Sequence, residues 1–236
     1  MRVPDKIVRR ESLGRGLAFV ARAVVTGAIL ASAVLVGAPA AAEPVRLMAY
    51  GDSLTHGYGL PAGETFPEQL EAALQAEGLA VTVINAGNSG DTTAGGLARL
   101  DWALADDPQA VILELGANDG LRGLDPQATY DNLDAIMAKL TEEGLPVLLA
   151  GMLAPPNLGR EYGEAFNAVY PRLAKKYDAP FYPFFLEGVA MEPALNQPDG
   201  IHPNAAGVAE IVKRITPHVV RLLKALDRAQ RPDAAN

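Results

Sequence analysis

The sequence predicts an α/β protein built on a parallel sheet of about five strands with helices on both faces. Three observations carry that prediction. Short apolar runs alternate with longer stretches of helical periodicity through residues 43–227. The runs are nearly continuous in apolar residues, so both faces of the sheet must be covered. Motifs rich in glycine, asparagine and aspartate follow the runs directly. In open parallel sheets, ligands bind there, outside the carboxyl ends of the strands.

The elements come in order. Residues 45–50 give the first strand, and 66–77 the first full helix, with Phe66, Leu70 and Leu74 at four-residue spacing. Residues 81–85 form the second strand, and Leu97, Leu100 and Leu104 mark the apolar face of the next helix. Residues 110–115 are the third strand. Asp125-Pro126 then supplies an N-cap followed by proline in the first turn, and Tyr130, Leu133, Met137 and Leu140 recur on one side. Residues 146–152 are the fourth strand, 161–176 a single helix and 179–183 the last strand. The final helix begins after Pro203 and buries Val208, Ile211, Val212, Ile215, Val219 and Leu222, with a kink expected at Pro217. Residues 228–236 read as a polar, disordered tail.

Residues 1–42 stand apart. Lys6, Arg9, Arg10 and Arg15 precede an apolar stretch over 23–36, and Ala40-Ala41-Ala42 offers a small-residue cleavage site before Glu43. The stretch is shorter than the roughly 20 residues a spanning helix needs, so it reads as a cleaved secretory signal peptide. The product is expected to be periplasmic or secreted, with no stable membrane span after cleavage. Residues 43–227 then form one domain.

Composition narrows the function. The chain has no cysteine, which excludes disulfides, thiolate metal sites and a cysteine nucleophile. Its net charge of −8 becomes −12 once 1–42 is removed, since that segment holds six basic residues (Arg2, Lys6, Arg9, Arg10, Arg15, Arg22) and two acidic ones (Asp5, Glu11). Such a surface repels phosphate backbones, so nucleic acid is not expected as a partner.

Four motifs carry the chemistry. Gly51-Asp52-Ser53-Leu54 follows the first strand. A serine hydroxyl becomes a useful nucleophile when a base takes its proton, and a strand-to-helix turn exposes the side chain beside backbone N–H groups. His202 is the candidate base. It sits in Asp199-Gly200-Ile201-His202-Pro203, where the three-residue spacing lets Asp199 accept from Nδ1 and leaves Nε2 for Ser53. His218 lies on a helix, and His56 is too local to Ser53 to be held independently. Gly90, after the second strand, and Asn118, in Gly116-Ala117-Asn118-Asp119 after the third, are candidate donors to an oxyanion, together with the Ser53 N–H. Leu121, Leu124, Met152, Leu153, Leu158 and Ile201 are candidates for an acyl groove.

In order and spacing, these blocks resemble those of the SGNH or GDSL hydrolases. Residues 85–93, 114–124, 165–174 and 183–185 are similar to the bacterial thioesterase I/lysophospholipase/arylesterase subfamily. The resemblance implies a flavodoxin-like three-layer αβα sandwich and no metal or organic cofactor. It implies Ser53 as nucleophile, His202 as base and then acid, Asp199 as its orienter, and Gly90 with Asn118 in the oxyanion hole. Fatty acyl esters and thioesters would be the small-molecule substrates, and the enzyme a monomer or weak oligomer. A carbohydrate acetylesterase of the same family is the nearest alternative. A non-catalytic flavodoxin-like binding module would share the fold but has no use for Asp199, His202 and Asn118 together. An aspartyl-nucleophile phosphatase needs a carboxylate at position 54, which is leucine, and no Gly-Lys-Ser/Thr phosphate loop occurs.

Overall fold

The five strands are β1 (Val45–Gly51), β2 (Val81–Gly87), β3 (Ala110–Glu114), β4 (Val147–Ala150) and β5 (Phe181–Tyr182). All pair in parallel in the order β2-β1-β3-β4-β5. The computed structural model describes residues 43–230. The expected signal segment 1–42 and residues 231–236 lie outside that range. Every residue of β3 and β4 is buried, as their apolar runs require, and Glu114 at the end of β3 is buried with them. β2 is an edge strand and alternates buried with exposed positions.

Eight α-helices flank the sheet among the described residues: α1 (Ser53–His56), α2 (Phe66–Ala76), α3 (Thr93–Leu104), α4 (Ala117–Leu121), α5 (Pro126–Glu142), α6 (Arg160–Asn167), α7 (Val169–Tyr177) and α8 (Ala205–Gln230). α2 packs on α8 in one layer. In the other, α5 packs on α3, α6 and α7. The result is a three-layer αβα sandwich. Local chemistry starts the helices as expected. Thr65 and Glu68 form a capping box at α2, and the Asp125 side chain accepts from Gln127 N–H at α5.

Three expectations change. The helix expected over 161–176 is two helices that break at Ala168. Pro171 has no N–H to donate to Asn167, and its ring crowds that carbonyl. α8 continues to Gln230, with Pro217 inside it, so Arg228–Gln230 are helical rather than tail. The Thr216 hydroxyl donates to the Val212 carbonyl beside the rung that Pro217 leaves open. The loop after β3 is partly the short helix α4, with Asn118 in its first turn.

The strand order positions the site. From β1 the chain moves outward to β2, then crosses back to β3 on the other side of β1. The reversal opens a crevice between the carboxyl ends of β1 and β3, the place where such sheets bind ligands. Ser53 and Asn118 stand just past those two ends.

Candidate active site

Ser53 is the first residue of α1. Asp52 caps that helix, and its Oδ1 accepts from Leu54 N–H at 3.0 Å. The turn is tight because Gly51 is paired with Glu114 across the sheet. A Cβ on Gly51 would lie 2.6 Å from the Glu114 backbone carbonyl, so no larger residue fits.

His202 arrives from the other end of the chain, 149 positions away. Its Nε2 lies 2.9 Å from Ser53 Oγ. Its Nδ1 lies 2.6 Å from Asp199 Oδ2. Asp199 Oδ1 accepts two backbone N–H groups, from Ile201 at 2.9 Å and His202 at 3.0 Å. The His202 ring bond, then those two backbone bonds, hold the Asp199 carboxyl down at about 2. An ionised Asp199 keeps a proton on Nδ1, which turns the Nε2 lone pair toward Ser53.

Asn118 links the two remaining motifs. Its Nδ2 donates to the Asp91 carbonyl at 2.9 Å and to Asp52 Oδ2 at 3.2 Å. It thus ties the residue after Gly90 to the residue before Ser53. Gly90 has φ +86, in the left-handed region that favours glycine. Neither Gly90 N–H nor Ser53 N–H has an acceptor among the described residues. Arg99 stiffens this loop: its guanidinium bonds Asp91 Oδ2 at 2.5 Å, the Ala86 carbonyl at 2.9 Å and the Gly51 carbonyl at 2.8 Å.

Beneath Ser53 lie two buried carboxyls that sequence reasoning did not single out, Asp52 and Glu114. Burial pushes Asp52 up to about 7, against the pull of Leu54 N–H, His202 and Asn118. Burial, then the Asp52 charge, pushes Glu114 well above the usual carboxylate range. Glu114 Oε2 accepts from the Thr55 hydroxyl at 2.7 Å, while Oε1 is buried without a partner. The available signal was a lone acid inside the apolar run 110–115.

The groove candidates divide. Leu121, Leu124, Leu153 and Ile201 are exposed, in segments that follow β3, β4 and β5. Met152 is buried in the core and cannot line an open groove, which corrects its assignment. Leu158 is half-buried and borders a separate cleft with Pro126, Tyr162 and Ala165. A cavity of only about 10 Å³ lies against Ser53 and His202, lined also by Leu54, Tyr58, Leu60 and Val208. His56 sits by the Gly87 carbonyl at 3.3 Å, and His218 packs edge-on to Tyr182, both outside the His202–Ser53 chain of bonds.

Fold and site together define an acyl-ester hydrolase of the serine type. Residues 49–209 match the GDSL-like Lipase/Acylhydrolase family, and the chain belongs to that family. It is 42% identical over 191 residues to "Esterase TesA" of Pseudomonas aeruginosa, covering 80% of this chain and 94% of that protein. It is 44% identical over 165 residues to "Thioesterase 1/protease 1/lysophospholipase L1" of Escherichia coli, covering 70% and 78%. The crystal structure of AlinE4, described as an SGNH-hydrolase family esterase, is similar with a TM-score of 0.66 and 48% identity, covering 77% of this chain and 98% of that one.

Proposed function

We propose that this protein hydrolyses fatty acyl esters and thioesters through an acyl-enzyme on Ser53, outside the cytoplasm. The observation that supports the mechanism most directly is the continuous chain of bonds from Asp199 through His202 to Ser53. Ser53 Oγ attacks the acyl carbonyl while His202 Nε2 takes its proton. The oxyanion is held by Ser53 N–H, Gly90 N–H and the Asn118 amide, whose longer bond to Asp52 yields to it. The leaving alcohol or thiol departs with the proton from His202. Water, deprotonated by His202, then releases the acid and restores Ser53.

The exposed Leu121, Leu124, Leu153 and Ile201 favour an acyl chain lying across the surface over a short polar acetyl site. The extracytoplasmic location rests on the character of 1–42. Among the described residues, no helix is long and apolar enough to cross a membrane.

The test is a series of p-nitrophenyl esters from acetyl to palmitoyl, with Ser53→Ala as control. Medium and long chains should give the higher kcat/KM, and Ser53→Ala should hydrolyse none of them while keeping its fold. Activity confined to acetyl esters would favour the carbohydrate acetylesterase reading. Substantial turnover by a clean Ser53→Ala preparation would overturn the mechanism.

A further inference from the structure

His202 and Asp199 share one turn, so their mutual bond fixes the imidazole within its own loop. It does not fix that loop against Ser53. Among the described residues, only two hydrogen bonds join the segment 51–60 to the segment 195–204. One is His202 to Ser53 itself. The other is Gln197 Nε2 to the Tyr58 carbonyl at 2.7 Å.

Gln197 is half-buried and lies two residues before Asp199. Its backbone N–H donates to the His202 carbonyl at 2.7 Å, and its carbonyl accepts from Gly200 N–H at 2.9 Å, which closes the Asp199–His202 turn. The same Nε2 that reaches Tyr58 also donates to the Pro203 carbonyl at 3.0 Å. Both hydrogens of one amide nitrogen are therefore spent on two backbone carbonyls. One belongs to the chain leaving α1, the other to the residue after His202. The backbone at Gly59 closes over Gln197 Oε1 and leaves no room for a Cβ there. Tyr58, whose carbonyl is pinned, lays its ring on the His202 imidazole at 4.6 Å between centroids.

We propose that Gln197 is a positioning residue: its amide clamps the His202 loop to the Tyr58 loop and so sets the approach of Nε2 to Ser53 Oγ. This rests on the reading of Ser53 and His202 above. Proton transfer from Ser53 depends steeply on that distance, and a misplacement of about 1 Å is worth on the order of 100-fold in rate. The Gln197 amide nitrogen is committed to two backbone carbonyls rather than offered to a ligand, so its loss should appear in kcat and leave KM alone.

Two size-matched variants test this. Gln197→Met keeps the stem and removes the donors. Gln197→Glu keeps the shape and turns an ionised acceptor toward two carbonyls. Each is assayed for kcat and KM on p-nitrophenyl butyrate. Each is also assayed for its rate of inactivation by phenylmethylsulfonyl fluoride. In that reaction Ser53 Oγ bonds to sulfur, fluoride leaves and His202 takes the proton, independently of acyl-chain binding. Both variants should lose about 10-fold or more in kcat and in inactivation rate, with KM within about threefold of the parent. Parental kcat in a folded variant overturns the proposal. So does a loss that appears in melting temperature alone, or failure of both variants to fold, either of which makes Gln197 a stability residue. A parent that hydrolyses esters independently of Ser53 refutes the reading of the site instead.

Discussion

Glu114→Gln probes the buried acid beneath Ser53. Both Asp52 oxygens accept N–H bonds, from Leu54 and from Asn118, whereas Glu114 Oε1 has no partner. Those bonds limit the rise of Asp52 to about 7, whereas burial and then the Asp52 charge raise Glu114 well above the usual range, so Glu114 keeps its proton through mildly acidic pH. Glutamine has nearly the same shape, can accept from the Thr55 hydroxyl and carries no proton to lose. The unfolded chain releases the Glu114 proton above about 4.3, while the folded protein keeps it. The parent is therefore destabilised as pH rises from there toward the raised folded value, at about 1.4 kcal/mol per unit. Below that window the carboxyl is protonated in both states and this difference disappears. Between pH 5 and 6.5 the advantage of Glu114→Gln over the parent should grow by about 2 kcal/mol. Urea unfolding of both proteins at the two pH values measures it, because contributions common to both cancel. Ester hydrolysis by the variant should stay within about threefold of the parent. A stability difference that does not change with pH, or a large loss of kcat, would mean that Glu114 works as an anion and would refute the assignment.

Asp199→Asn should lower kcat by roughly 10⁴-fold, as seen for loss of the orienting carboxylate in serine triads, with KM little changed. An amide facing His202 Nδ1 would turn the imidazole to the wrong tautomer, and steady-state kinetics checks this. Gly51→Ala should destabilise by about 1–3 kcal/mol or more, read as a fall in urea midpoint, since the added Cβ meets the fixed Glu114 carbonyl rather than a movable side chain. Incubation with EDTA should leave ester hydrolysis unchanged. The described residues hold no cluster of three or more His, Asp or Glu side chains able to bind a metal ion, and a clear loss of rate would reveal a metal requirement.

The sequence alone determined the αβ alternation and the place of each strand, with ends that differ from the observed ones by up to two residues, because apolar periodicity is a local property and the buried strands β3 and β4 are apolar apart from Glu114. It also determined the Asp199–His202 pair, whose partners lie three residues apart on one turn. The break between α6 and α7 escaped the sequence reading, because the apolar pattern runs on past Pro171. The tertiary structure decided what depends on register and on meetings between distant segments. Pairing of Gly51 with Glu114 across β1 and β3 buries a carboxyl under Ser53. Packing turned Met152 into the core while Leu153, its neighbour, stayed exposed. The Gln197 amide found the Tyr58 carbonyl 139 positions away. Such contacts leave no periodic trace in a single chain, because each depends on how far apart the sheet holds two loops.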